Sequence, residues 1–167
     1  MTIALAETMS RSMAKLLFGA AVAGAALAGT FVAPRTGTAA GEWYANLEKP
    51  FFTPPDWLFG PAWTTLYVLM AVSGYRMWRA AHTPSRDAGL RLWAGQLVLN
   101  AAWSPIFFGA GRPAVALADL ALLFAAEVAY TRVAARTDRP AAWMFAPYLA
   151  WTAYAGALNF EIVRLNG

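Results

Sequence analysis

The chain has 167 residues, of which 59% are hydrophobic and only 13% charged, about half the charged share of an ordinary soluble domain. Eight Trp, ten Phe and six Tyr are more large aromatic side chains than a soluble core of this size hides, and the net charge of +4 comes from basic residues scattered between apolar runs rather than gathered in the patches that bind nucleic acid. The absence of Cys excludes disulfides, thiol catalysis and thiolate metal sites, and a single His excludes a multi-His metal centre within one chain.

The expectation is an all-α membrane protein, a five-transmembrane-helix bundle that binds no metal and no nucleic acid. About 20 apolar residues cross the hydrocarbon core as a helix, and inside lipid the helix satisfies its own backbone. Behind a polar segment at 1–15, uncharged runs occupy 16–34, 57–75, 92–111 and 140–160. A further run at 113–131 is broken only by Asp119 and Glu127. The predicted helices are 16–34, 57–79, 90–109, 113–132 and 140–164, forming one domain over 16–167 with no internal repeat. The first run follows Arg11 and Lys15 and ends near Thr38, Ala39 and Ala40, as a cleaved secretory signal would. Its length exceeds the usual apolar region of a signal, and Ala20, Gly24 and Ala28 suit close helix packing in lipid.

The connection at 35–56 contains Trp43, Tyr44, Phe51 and Phe52 among Pro50, Pro54 and Pro55. Prolines keep it out of long helix, so it is either a rigid lid or an aromatic belt at headgroup depth. Asp56 is placed to cap the second helix. With five spans, nine Lys and Arg share the side of the N-terminus and four the other. The positive-inside rule then puts the N-terminus in the cytoplasm if the membrane is an inner one.

Polar side chains at membrane depth face protein or a cavity. Gln96, Asn100, Trp103 and Phe107 fall on one face of the third span, Trp63, Tyr67, Met70 and Gly74 on one face of the second, and Tyr148, Trp151, Ala155 and Asn159 nearly align on the fifth, beside Pro147. These stripes are either helix–helix glue or the walls of a flat aromatic pocket with a few amide donors. Asp119 and Glu127 lie on one face of the fourth span; a proton relay uses such carboxylates, and the favoured alternative pairs them with Arg112 and Arg132 near the interface. His82 belongs to a solvated loop. Weak sterol-type patterns occur at Val72, Tyr75 and Arg79 and at Arg139, Phe145 and Leu149; a third near Leu158 to Arg164 lacks its tyrosine at Phe160.

Several ordered motifs stand out. They are Trp43-Tyr44, Leu47-Glu48-Lys49-Pro50, Pro54-Pro55 and Trp63-Thr64-Thr65-Leu66-Tyr67, followed by Gln96-Leu97-Val98-Leu99-Asn100 and Trp103-Ser104-Pro105-Ile106-Phe107-Phe108-Gly109. Pro147-Tyr148-Leu149-Ala150-Trp151 and Leu158-Asn159 complete the set. Together they resemble the TspO/MBR family over about 15–166. The resemblance implies a five-helix bundle, usually a homodimer, with the first long loop as lid over a pocket. The implied ligands are protoporphyrin IX, haem, cholesterol, and isoquinoline and benzodiazepine drugs, with porphyrin or haem as ligand rather than obligatory cofactor. Family ligand positions fall on Trp43, Phe51, Phe52, Trp63, Tyr67, Asn100, Trp103, Tyr148, Trp151, Ala155 and Leu158. Phe51 and Phe52 stand where family tryptophans are common, which removes an indole N–H from the lid. Trp63 and Trp151 match tryptophans implicated in light-dependent porphyrin degradation.

The leading expectation is therefore an integral membrane receptor or transporter for tetrapyrroles and similar flat hydrophobes. The alternatives are a light-dependent porphyrin-degrading enzyme and a stress- or oxygen-responsive sensor acting through a protein partner. Family analogy also allows a bacterial outer membrane.

Overall fold

The computed structural model describes residues 9–167, and no strand occurs among them. Five long helices and one short one follow each other as α1 (Arg11–Val32), α2 (Ala39–Ala45), α3 (Phe59–Arg79), α4 (Pro84–Ser104), α5 (Pro113–Thr137) and α6 (Arg139–Asn166). A 3₁₀ turn at Asp56–Leu58 precedes α3, and a π turn at Pro105–Gly109 closes α4.

The apolar runs mark the middles of these helices, and capping chemistry sets their ends. Ser10, Thr38, Thr83 and Asp138 each accept a hydrogen bond from a first-turn backbone N–H, satisfying donors that a helix start leaves orphaned. Pro84, Pro113 and Pro140 sit in the first turn, where the missing N–H has no cost. Consequently α1 starts at Arg11 rather than 16, α4 at Pro84 rather than 90, and α6 runs to Asn166. The expected cap at Asp56 does not form: Asp56 opens the 3₁₀ turn and no side chain caps α3.

The long helices close a ring in the order α1, α3, α6, α5, α4 and back to α1. Gly74 makes part of this closure: a Cβ there would collide with the Trp93 indole and with Phe18, so three helices meet at one bare position. The Trp93 N–H donates to the Met70 carbonyl at 3.0 Å and pins the indole in that notch. One turn further along α3, buried Arg86 donates to the last-turn carbonyl of Trp78 and to Asp87. His82 is exposed, with Nδ1 accepting from Arg86 at 3.2 Å.

The core is mainly apolar, yet large apolar side chains also cover the outside and a set of polar ones is buried. Leu16, Phe31, Val68, Val98, Leu122, Trp143 and Phe160 point outward, whereas Ser73, Gln96, Asn100, Asp119, Glu127, Thr152 and Asn159 are buried. Two helices, α1 and α5, are long and apolar enough to cross a membrane by length and composition. The other three long helices fall short of that standard.

Candidate functional site

Two helices bring aromatic side chains together under the long loop, and a third adds an amide. Trp63 and Tyr67, one turn apart on α3, stack with ring centroids 5.2 Å apart. Tyr148 and Trp151 of α6 meet Trp63 edge-on at 6.2 and 6.1 Å. Phe59 meets Trp151 at 5.9 Å. Asn100 reaches in from α4: it accepts from the Tyr67 hydroxyl at 3.2 Å and donates to the Tyr148 hydroxyl at 2.8 Å. The arrangement is a wall of offset and edge-on rings, a geometry that such quadrupoles favour, with one amide at its inner side.

A second aromatic group lies where α2 rests on the π turn. The wider turn lets the Ala110 N–H reach the Pro105 carbonyl at 2.8 Å and turns Phe107 into the core, 1% exposed. Trp103 stacks on Phe107 at 4.8 Å, and Trp43 of α2 meets Phe107 edge-on at 5.6 Å. The Trp103 N–H donates to Asn159, which donates in turn to the Pro113 carbonyl. Gly111 adopts a positive φ of 60° beside the Trp43 indole, a conformation natural to glycine. Lys49 lies 4.5 Å over the Tyr44 ring. Burial, then the charge of Asp56, pushes the Tyr44 phenol above its ordinary pKa.

The loop is clasped to α6 at two places. The Tyr154 hydroxyl donates to the Phe52 carbonyl at 2.7 Å. The Glu48 N–H donates to Asn166 Oδ1, and Asn166 Nδ2 donates back to the Glu48 carbonyl, both at 2.9 Å. Asn166→Ala removes both bonds of that clasp, about 1 kcal/mol of net closure. The expected result is roughly fivefold faster cleavage after Glu48 by a glutamate-specific protease; unchanged cleavage would show that the clasp does not hold the loop.

The residues expected to line one pocket therefore separate. Trp63, Tyr67, Asn100, Tyr148 and Trp151 come together, while Trp43 and Trp103 belong to the second group. Phe52 docks on Tyr154 at 6.3 Å, and Phe51 is 99% exposed, touching Phe52. Leu158 is buried and Ala155 half-buried further along α6. Beside the wall, an apolar groove of about 580 Å³ opens between α3 and α6, lined by Pro61, Ala62, Leu66, Pro147, Trp151 and Tyr154 among others.

The interfacial pairing expected for the α5 carboxylates does not occur. Glu127 is fully buried and accepts from Thr152 at 2.8 Å, and among the described residues neither Asp119 nor Glu127 forms an ion pair. Five residues on a helix turn a side chain by about 140°, so Arg132 points away from the face that Glu127 occupies. The sterol-type pattern at Arg139, Phe145 and Leu149 has its aromatic residue fully buried, unavailable to lipid. Sequence reasoning missed Phe59, Tyr154, Thr152 and the Glu48–Asn166 clasp. Only the aromatic character of Phe59 and Tyr154 offered a signal.

Apolar exterior, polar spine and aromatic wall define a helical membrane protein. The TspO/MBR family profile matches residues 18–165. Over 127 residues the chain is 42% identical to Protein CrtK of Rhodobacter capsulatus, covering 75% of this chain and 79% of that one. It is 43% identical to the Homo sapiens translocator protein over 126 residues (74% and 75% of the two chains). It is 41% identical to the tryptophan-rich sensory protein of Cereibacter sphaeroides over 125 residues (75% and 77%). The chain belongs to the TspO/MBR family.

Proposed function

We propose that the chain crosses a membrane five times and binds flat hydrophobic ligands against the wall formed by Trp63, Tyr67, Tyr148 and Trp151. Tetrapyrroles such as protoporphyrin IX and haem are the leading ligands, with cholesterol and isoquinoline or benzodiazepine drugs as further members of the class. Five crossings are supported by all five long helices turning apolar side chains outward and by α3, α4, α5 and α6 each burying polar ones. The end carrying the N-terminus of α1 also holds nine of the thirteen basic residues, which favours placing it on the cytoplasmic side of an inner membrane.

The observation that carries the ligand reading is the convergence of two indoles, two phenols and one amide from three helices beneath a clasped loop. Stacking surface with few polar groups suits a large planar molecule. The groove beside Trp151 and Tyr154 supplies an apolar approach from the bilayer side. Relatives named translocator and sensory proteins point to transport or signalling, and both begin with binding. The exposed Ala94 and Gly95 on α4 leave a smooth face for a second copy in a homodimer.

Titrating protoporphyrin IX into the detergent-solubilised protein, with tryptophan fluorescence as readout, tests the site. Trp63→Ala and Trp151→Ala are each expected to raise Kd about tenfold, the loss of one aromatic contact with its buried area. Equal affinity in wild type and both variants would remove the site.

A further inference from the structure

The inner side of the aromatic wall continues into a row of hydrogen bonds that crosses the bundle. Tyr67 donates to Asn100, and Asn100 donates to Tyr148. The Tyr148 hydroxyl borders the carboxyl of Glu127 on α5, and Thr152 donates to Glu127 Oε1. Glu127 Oε2 is buried and unpaired in this arrangement, and Tyr148 stands one turn before Thr152 on the same face of α6. Because Tyr148 already accepts from Asn100, its own proton is free, and a small turn of the hydroxyl offers it to Oε2.

Each hydroxyl in such a row donates once, so the row runs in one sense from end to end. An ionised Glu127 accepts at both oxygens and draws the donors of Tyr148, Asn100 and Tyr67 towards itself. Tyr67 then shows the aromatic site only oxygen lone pairs. A neutral Glu127 donates from Oε2 to Tyr148. Tyr148 then donates to the Asn100 carbonyl, the amide having turned over, and Asn100 donates to Tyr67, whose O–H is free for a ligand.

Among the described residues, the surroundings supply no other charge to set that sense. From α6, Glu127 meets Tyr148 and Thr152. Tyr130, one turn on along α5, is engaged with Ser73 of α3. The buried side chains of α4 in this region, Gln96 and Asn100, are uncharged, and the π turn packed on α5 has no ionisable group. Asp119 lies two turns away on α5 itself.

We propose that Glu127 decides which hydrogen-bonding class of planar ligand the aromatic site accepts: N–H or O–H donors when it is ionised, carbonyl-type acceptors when it is neutral. Glu127 is a positioning residue in this scheme, acting through Tyr148 and Asn100 on Tyr67. The proposal rests on the aromatic wall being the ligand site.

Two planar tricyclic probes of similar size separate the classes: carbazole, with one N–H donor, and fluorenone, with one carbonyl acceptor. Neither titrates in the working range, and both are followed by tryptophan quenching of the full chain in detergent. In the wild type, moving from alkaline to mildly acidic buffer is expected to shift the ratio of the two Kd values about tenfold towards fluorenone, the worth of one hydrogen bond. Glu127→Gln, whose amide donates to Tyr148 as the neutral acid does, is expected to hold the acidic ratio at every pH. Tyr67→Phe removes the end group and is expected to abolish the dependence on pH.

A shift in Glu127→Gln alone supports the assignment with Glu127 ionised throughout. If that variant fails to fold, the wild-type titration and Tyr67→Phe decide. A ratio that is constant with pH and unchanged in Glu127→Gln overturns the proposal, as does a pH dependence that survives in Tyr67→Phe. If neither probe quenches and protoporphyrin IX affinity ignores Trp63→Ala and Trp151→Ala, the site itself is wrong and the proposal falls with it.

Discussion

Gly74→Ala is expected to lower stability by about 2 kcal/mol, although alanine is the better helix former. An overpacked site costs up to about 3 kcal/mol, and the gain in helix propensity returns only about 1. The collision cannot be relieved by a small retreat of the indole, because the Trp93 N–H is bonded to the Met70 carbonyl at 3.0 Å and Phe18 closes the other side. Close contact of this kind matters more in lipid than in water, since apolar side chains gain nothing there by leaving their solvent. Thermal unfolding in detergent, followed by tryptophan emission, measures the effect. Gly95→Ala and Gly19→Ala, where an added methyl meets nothing within 4 Å, are the matched controls and are expected to be neutral or slightly stabilising. If Gly74→Ala melted with them, the notch between α1, α3 and α4 would not be limiting.

Asn100→Leu is the second large effect, about 2 kcal/mol of destabilisation. Leucine fits the volume but takes from the Tyr67 and Tyr148 hydroxyls the amide they share, the second of them fully buried. The asymmetry of hydrogen bonding gives the diagnostic. Removing one partner leaves a buried polar group unsatisfied, whereas removing both can be nearly neutral. The triple variant Tyr67→Phe, Asn100→Leu, Tyr148→Phe is therefore expected to recover at least half of the loss. Denaturation by a strong detergent titrated into a mild one reads both. Loss without recovery would point to leucine packing badly rather than to stranded hydroxyls.

The long helices were legible because a hydrocarbon-crossing segment needs an uninterrupted apolar run, and such runs survive in the sequence. Their ends were not, because helices continue past the apolar stretch into charged turns. Thr83-Pro84 and Asp138-Arg139-Pro140 are capping signals that counting apolar residues overlooks. The helix at Ala39–Ala45 was hidden for a related reason: seven residues carry no period to detect, only the Thr38 cap.

At the site, the stripes on the second, third and fifth spans do turn inward, since helical spacing fixes which residues share a face. What spacing leaves out is how the helices stand against each other. Trp103 and Trp63 sit on inward faces yet belong to different aromatic groups, because the π turn and α2 gather Trp103, Phe107 and Trp43 together. Glu127 is the sharper case. Its neighbours in sequence suggested Arg132, and its partner is Thr152, 25 residues away on α6. Only the register of α5 against α6 could reveal that.

One small joint governs how such a bundle can breathe. Asp138 is the single residue between α5 and α6; it ends one helix, caps the next through Ala141, and holds Arg76 of α3 at 3.0 Å. With no spare chain between them, α5 and α6 behave as one stiff hairpin with its crease pinned. The slack lies elsewhere, in the four residues joining α3 to α4 and in the long stretch between α1 and α3. A guest that needs room must lean the α1–α3 half away from that hairpin, so widening is one-sided and greatest at the end opposite the crease, where the loop sits.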